Sequence, residues 1–219
     1  GRGLVVAGDT AHPAVGALAR SLAEHLDWPL LAEPTSQARS GTQALIRYAE
    51  LLGTPAGLAL TERTDHLLVL GHPSLSRSVT ALLGREDLDI TVLTEHARWT
   101  DVPGRARRII HVDGPDQEPV NDVALQAVRL VAALGLERAD AAWTDSWRQA
   151  VVDLPDPGRS SSADAVVRAA WEASLAPDTP TLLLGSSMTV RRLDRLAQPG
   201  GAAPKAVANR GLAGIDGTI

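Results

Sequence analysis

A doubly wound α/β fold is predicted: a Rossmann-like parallel sheet flanked by helices, followed by the incomplete strand–helix–strand of a second α/β unit. Three observations carry this. Short apolar runs at 4–7, 66–70, 90–93 and 109–112 alternate with stretches of helical spacing. The runs are apolar along nearly their whole length and do not alternate with polar residues, as in strands buried on both faces. Glycine and proline punctuate most of the boundaries. A parallel sheet with crossover helices is written this way.

The elements follow in order. Residues 4–7 form a strand that ends in Gly8-Asp9-Thr10. Val15, Leu18, Leu22 and Leu26 then recur at helical spacing, with Asp9 or Thr10 as cap candidates and Pro13 near the first turn. Trp28 and Pro29 close that helix, and 30–32 is a second short strand. Residues 44–52 predict one helix, stopped by Gly53 and Pro55. The run 66–70 is the clearest buried strand, and 75–83 is the helix after it, ended by Gly84. Strands at 90–93 and 109–112 precede an amphipathic helix over 121–134, with Val123, Ala127, Leu130 and Leu134 on one face and Gly135 behind it. Residues 141–152 predict a helix whose Trp143 and Trp147, at i,i+4 spacing, read as packing.

Pro155-Asp156-Pro157-Gly158 and Ser160-Ser161-Ser162 form the strongest linker signal, with Ser162 as the cap of a helix over 164–175. A strand at 181–184 runs into Gly185-Ser186-Ser187. A helix bearing Val190, Leu193 and Leu196 on one side follows, then a strand at 205–208, Asn209-Arg210-Gly211 and a glycine-rich loop at 214–218. In such units ligands sit beyond the carboxyl ends of the strands, where both glycine-bearing turns are expected. The organisation read from this is 1–138 as a central Rossmann-like domain, 139–162 as helix and linker, and 163–219 as the start of a second domain. Both ends of the chain read as cuts.

Composition bounds the chemistry. A length of 219 residues allows one large domain, or one domain and part of another. Hydrophobic residues at 44% and charged residues at 21% suit a soluble globular protein. A net charge of -5 argues against a nucleic-acid partner and a polybasic membrane patch. The absence of cysteine excludes disulfides, thiolate metal sites and cysteine nucleophiles. No apolar stretch has the length of a membrane span and no signal-peptide pattern opens the chain, so a cytoplasmic location is expected. His12, His25, His66, His72, His96 and His111 show no metal-ligand spacing. No phosphate-loop motif exists, and Gly185-Ser186-Ser187 lacks the second glycine of a nucleophile elbow. On residue pattern alone the final stretch is a glycine-rich fold turn with solvated arginines, and Asp216 suits an Asx-type local hydrogen bond as well as it suits catalysis.

A resemblance changes that balance. Trp28-Pro29-Leu30, Ser36-Gln37, Gly71 ahead of a helix with Arg77, Gly185-Ser186-Ser187 through Arg191, and Asn209-Arg210-Gly211 through Gly214-Ile215-Asp216-Gly217-Thr218 stand in one order. They resemble the 2-succinyl-5-enolpyruvyl-6-hydroxy-3-cyclohexene-1-carboxylate synthases, the thiamine-diphosphate enzymes of menaquinone biosynthesis. The final block is the specific part. The resemblance implies a three-domain enzyme, of which this chain holds the central domain and the first strand–helix–strand of the cofactor domain. It implies decarboxylation of 2-oxoglutarate and addition of the succinyl unit to isochorismate. By the same analogy Ser187, Arg191 and Arg210 hold substrate carboxylate, Arg77 reaches isochorismate, and Ser186 and Ile215 line the cofactor side. Ser78 stands where a second basic residue can occur, which weakens a paired clamp. Thiamine diphosphate and Mg2+ belong to the full-length enzyme, expected to be a homodimer or homotetramer. The activating glutamate and the Gly-Asp-Gly...Asn motif that holds magnesium and diphosphate are expected outside this stretch, so the chain alone is expected to be inactive, with no catalytic residue of its own and no cofactor bound. An alternative implied by the family is a regulatory pocket for an aromatic acid in the central domain, served by Arg77, Arg98 or Arg105.

Overall fold

The protein is described by a computed structural model. It describes residues 1–95, 99, 101, 103–112, 122–156, 158, 160–176, 181–185 and 187–208. Its element order is β1 (Gly3–Ala7), α1 (Pro13–Leu26), β2 (Leu30–Ala32), α2 (Tyr48–Leu51), α3 (Pro55–Glu62), β3 (His66–Leu70), α4 (Arg77–Leu83), β4 (Asp89–Thr94) and β5 (Arg108–His111). Then come α5 (Val123–Leu134), α6 (Ala141–Val152), α7 (Ser162–Ser174), β6 (Leu182–Leu184), α8 (Met188–Leu196) and β7 (Ala206–Ala208).

The first five strands form one parallel sheet in the order β2-β1-β3-β4-β5. Strand order reverses at β1. Right-handed crossovers therefore place α1 on one face and α4 on the other. This is the doubly wound α/β arrangement that the apolar runs predict. Leu4, Val5, Leu67, Leu68, Ile90 and Leu93 are all buried, because helices cover both faces. Helix α5 buries Ala127 and Val131 and packs along α1. Helix α6 adds Trp143 and Trp147 to the same core, edge to face with ring centroids 5.8 Å apart. The Trp143 indole N–H donates to the Gly3 carbonyl oxygen at 2.9 Å, which ties α6 to β1.

The smaller unit is a parallel pair, β6 and β7, joined through α8 and backed by α7. Trp171, Leu184, Val190, Leu193 and Ala206 form its core. The Trp171 indole donates to the Gln198 carbonyl at 2.8 Å. No described helix is long and apolar enough to cross a membrane.

Several boundaries differ from expectation. Helix α1 has His12 at its N-cap with no side-chain cap bond, so neither Asp9 nor Thr10 caps it. Residues 44–52 do not form one helix. The Leu30 N–H donates to the Gln43 carbonyl at 2.8 Å and the Leu45 N–H to the Leu30 carbonyl at 2.9 Å, so this stretch runs beside β2 before α2 begins. Helix α3 was not expected. Pro55 opens it at N1, and Thr54 caps it by accepting from the Gly57 N–H at 3.1 Å. Helix α7 is capped by Ser161, not Ser162, in a reciprocal box with Asp164.

Candidate substrate-carboxylate site

Helix α8 carries the expected substrate residues. Its nine residues bury Val190, Leu193 and Leu196 on one side and leave Arg191 exposed. Ser187 is its N-cap, and the hydroxyl accepts from the Thr189 N–H at 3.2 Å. That places Ser187 at the positive end of the helix dipole. Arg192 and Arg195 both pair with the Asp164 carboxylate, at 3.3 and 3.4 Å. The Ser161 backbone N–H and hydroxyl hold the Asp164 carboxyl below the ordinary range, and the two arginines add to this. Arg191 has no acidic partner among the described residues. Among the described residues its one hydrogen-bond contact is with the Met188 sulfur, at 4.0 Å.

Arg191 lines a hollow of about 290 Å³ together with Arg47, Glu50, Leu75, Ser76, Asp194 and Arg195. The walls come from α2, the turn before α4, and α8. Arg77 follows Ser76 as the first residue of α4 and is exposed, with no side-chain partner among the described residues. The turn that precedes Arg77 thus meets Arg191 at one hollow, although Arg77 itself is not among the lining residues. Arg47 is committed elsewhere, to Glu50 at 2.6 Å and to the Pro155 carbonyl at 2.7 Å. Ser78 donates to the Ala49 carbonyl at 2.7 Å. Arg210, Ser186 and Ile215 lie outside the described residues, as does the loop at 214–218.

Beneath this hollow is a buried charge cluster that sequence reasoning missed. Arg39 is only 1% exposed. Its Nη1 donates to the Ala32 carbonyl at 2.8 Å and to Asp194 Oδ1 at 3.0 Å. Its Nη2 donates to the Asp194 carbonyl at 2.6 Å and its Nε to the Ala197 carbonyl at 3.0 Å. The guanidinium therefore satisfies carbonyls at the negative end of α8 and neutralises its acid. The Tyr48 hydroxyl donates to the same Asp194 Oδ1 at 2.6 Å. Burial, and then the charge of Asp194, push the Tyr48 phenol well above its ordinary 10.0. These bonds join the two sheets through groups that would cost several kcal/mol if left unpaired in the interior.

A second hollow, of about 260 Å³, opens at the carboxyl ends of β1, β3 and β4, beside the reversal of strand order. Asp9, Thr10, His12, His72, Glu95 and Trp99 line it. Neither Arg77 nor Arg105 is among its lining residues. Arg105 pairs with Glu86 at 2.6 Å, and Arg98 lies outside the described residues. Among the described residues no group of three or more histidine, aspartate or glutamate side chains is placed to hold a metal ion.

No family model matches the chain. Among curated proteins it is 39% identical over 220 residues to the 2-succinyl-5-enolpyruvyl-6-hydroxy-3-cyclohexene-1-carboxylate synthase of Kineococcus radiotolerans. It is 36% identical over 236 residues to the enzyme of the same name from Nocardioides sp., and 33% over 238 residues to that of Leifsonia xyli. These alignments cover 99%, 100% and 99% of this chain but 37%, 38% and 38% of the relatives, so the chain spans a little over a third of their length. The similarity runs through the five-stranded sheet, the hollow and α8 alike, and the chain belongs to the 2-succinyl-5-enolpyruvyl-6-hydroxy-3-cyclohexene-1-carboxylate synthase family.

Proposed function

We propose that this chain is the part of a thiamine-diphosphate-dependent transferase that helps to seat the carboxylates of 2-oxoglutarate and isochorismate, in the step of menaquinone biosynthesis that joins them. The relatives' shared name supports the reaction. The single observation that carries the site is the contrast along α8: Arg192 and Arg195 share the Asp164 carboxylate, while Arg191, on the hollow that Arg195, Glu50 and Asp194 also line, has no ion pair among the described residues. A planar guanidinium in that state can take a carboxylate bidentately. The positive end of the α8 dipole, where Ser187 sits, favours the same anion. Arg77, next in the chain to Ser76 of that hollow, takes the carboxylate of isochorismate, and Arg210 completes the cationic set.

Thiamine diphosphate with magnesium, when bound, supplies the carbanion chemistry of decarboxylation and carbon–carbon bond formation. This chain's residues for that side of the site are Ser186 and Ile215. Binding and orientation are the work of the arginines. The 219-residue chain alone is catalytically inert.

The test is turnover by the protein from the complete reading frame that carries this chain, supplied with thiamine diphosphate, magnesium, 2-oxoglutarate and isochorismate. Product is expected, with none from the isolated chain. Arg191→Ala is expected to raise KM for 2-oxoglutarate by about 10- to 100-fold, the cost of one charged hydrogen-bond pair. An inactive complete protein, or an Arg191→Ala protein with unchanged kinetics, refutes the reading.

A further inference from the structure

We propose that Arg39 and Tyr48 are positioning residues for Arg191, which keep the Asp194 carboxylate occupied so that the Arg191 guanidinium stays free for substrate. This rests on the reading of Arg191 as a carboxylate-binding group. Asp194 lies three residues after Arg191, a spacing at which an acid and a base on one helix pair readily. Both line the same hollow. The pairing is nevertheless not made. Asp194 Oδ1 instead receives Arg39 Nη1 at 3.0 Å and the Tyr48 hydroxyl at 2.6 Å. The neighbouring arginines show what happens otherwise: Arg192 and Arg195 both take the acid that α7 offers them.

The arrangement is a competition. A largely buried carboxylate must find a cation or hydrogen-bond donors. With Arg39 and Tyr48 in place its needs are met from below, inside the protein. Without them, the uncommitted cation is Arg191, about one turn away on its own helix. A closed Arg191–Asp194 pair would then have to be broken for each substrate carboxylate bound. The effect is specific to the substrate that Arg191 holds. Arg77 is on another helix, and its ligand is unaffected.

The test uses the protein from the complete reading frame with Arg39→Met, Tyr48→Phe and each of these combined with Asp194→Asn. Arg39→Met is expected to raise KM for 2-oxoglutarate about tenfold, and Tyr48→Phe about threefold, with KM for isochorismate unchanged. Adding Asp194→Asn is expected to return KM to within about twofold of the unaltered protein, because the competing charge is gone. Equal changes for both substrates, no change, or no recovery with Asp194→Asn overturns the proposal. If Arg39→Met does not fold, the Tyr48→Phe pair of variants gives the same reading. A crystal structure separates this from the wider functional assignment. Asp194 within about 4 Å of Arg191 in an altered protein supports the competition even if the unaltered protein does not turn over 2-oxoglutarate. Asp194 still held away from Arg191 overturns it.

Discussion

Gln37 donates its side-chain amide to the Ala206 carbonyl oxygen at 2.6 Å and to the Thr10 carbonyl oxygen at 3.3 Å. One buried side chain thus links the turn after β1 to the first residue of β7. Its backbone is left-handed, with φ 58°, which is uncommon for a residue other than glycine and is held by these contacts. Gln37→Ala leaves two buried carbonyls without this donor. The expected cost is about 1–3 kcal/mol in urea unfolding, with faster amide exchange in β6 and β7 than in β1 and β3. An unchanged unfolding midpoint would show that the link is dispensable.

Tyr48 is the one tyrosine in the sequence, so its ionisation can be followed directly in the ultraviolet. Its folded pKa lies well above 10.0 because of burial and the adjacent Asp194. The unfolded chain ionises at the ordinary value. The stabilisation is therefore complete below pH 10.0 and is lost as pH rises toward the folded value. Phenolate absorbance is expected to appear together with loss of helical circular dichroism. Titration of Tyr48 at the ordinary value in a folded protein would contradict the buried bond to Asp194.

Asp164 has the opposite sign. Its carboxyl is held below the usual 3.8, first by the Ser161 backbone N–H and hydroxyl. This contribution is present above the unfolded value and disappears as pH falls through the folded one. Stability is expected to fall more steeply on acidification below about pH 4 in the unaltered protein than in Asp164→Asn. Parallel acid limbs for the two proteins would remove the α7–α8 ion pairs from the account of stability.

Gly71 follows β3 with φ +67°, and an added Cβ would stand 2.7 Å from the Gly8 carbonyl oxygen and 2.8 Å from that of Asp9. Backbone crowds it on that side, so no side chain can turn away to relieve the contact. Gly71→Ala is expected to cost at least about 1–3 kcal/mol and to lower Tm by several degrees in a thermal scan. A variant as stable as the parent would show that the turn can relax.

The inner strands of the larger sheet were legible because they are buried on both faces, so that Leu67-Leu68-Val69-Leu70 must be apolar at every position, whereas the edge strand β5 is largely exposed. The segment 44–52 was not. Apolar residues at Ala44, Leu45, Tyr48 and Leu51 suit a helix, and only hydrogen bonds to Leu30 reveal that the first half runs beside β2. Helix α3 was hidden because Pro55 was read as a stop when it is a start. Arg191 was legible through resemblance, but what sets it apart from Arg192 and Arg195 is the position of Asp164, fixed by the capping box of another helix. Arg39 left no trace in the pattern. Three of its four acceptors are backbone carbonyls, which every residue owns and only the folded chain brings together.

The two-stranded β6–β7 sheet has a further consequence. Leu183 on β6 is 60% exposed, and a pair of strands this short is marginal in water by itself. It acquires its shape from Gln37 and Arg39, both anchored on the five-stranded layer. Folding therefore has a direction. A ribosome delivers residues 1–154 first, so the mould is cast before the piece that must set against it emerges. Reversing that order, by circular permutation, would leave the small unit searching for a surface not yet made.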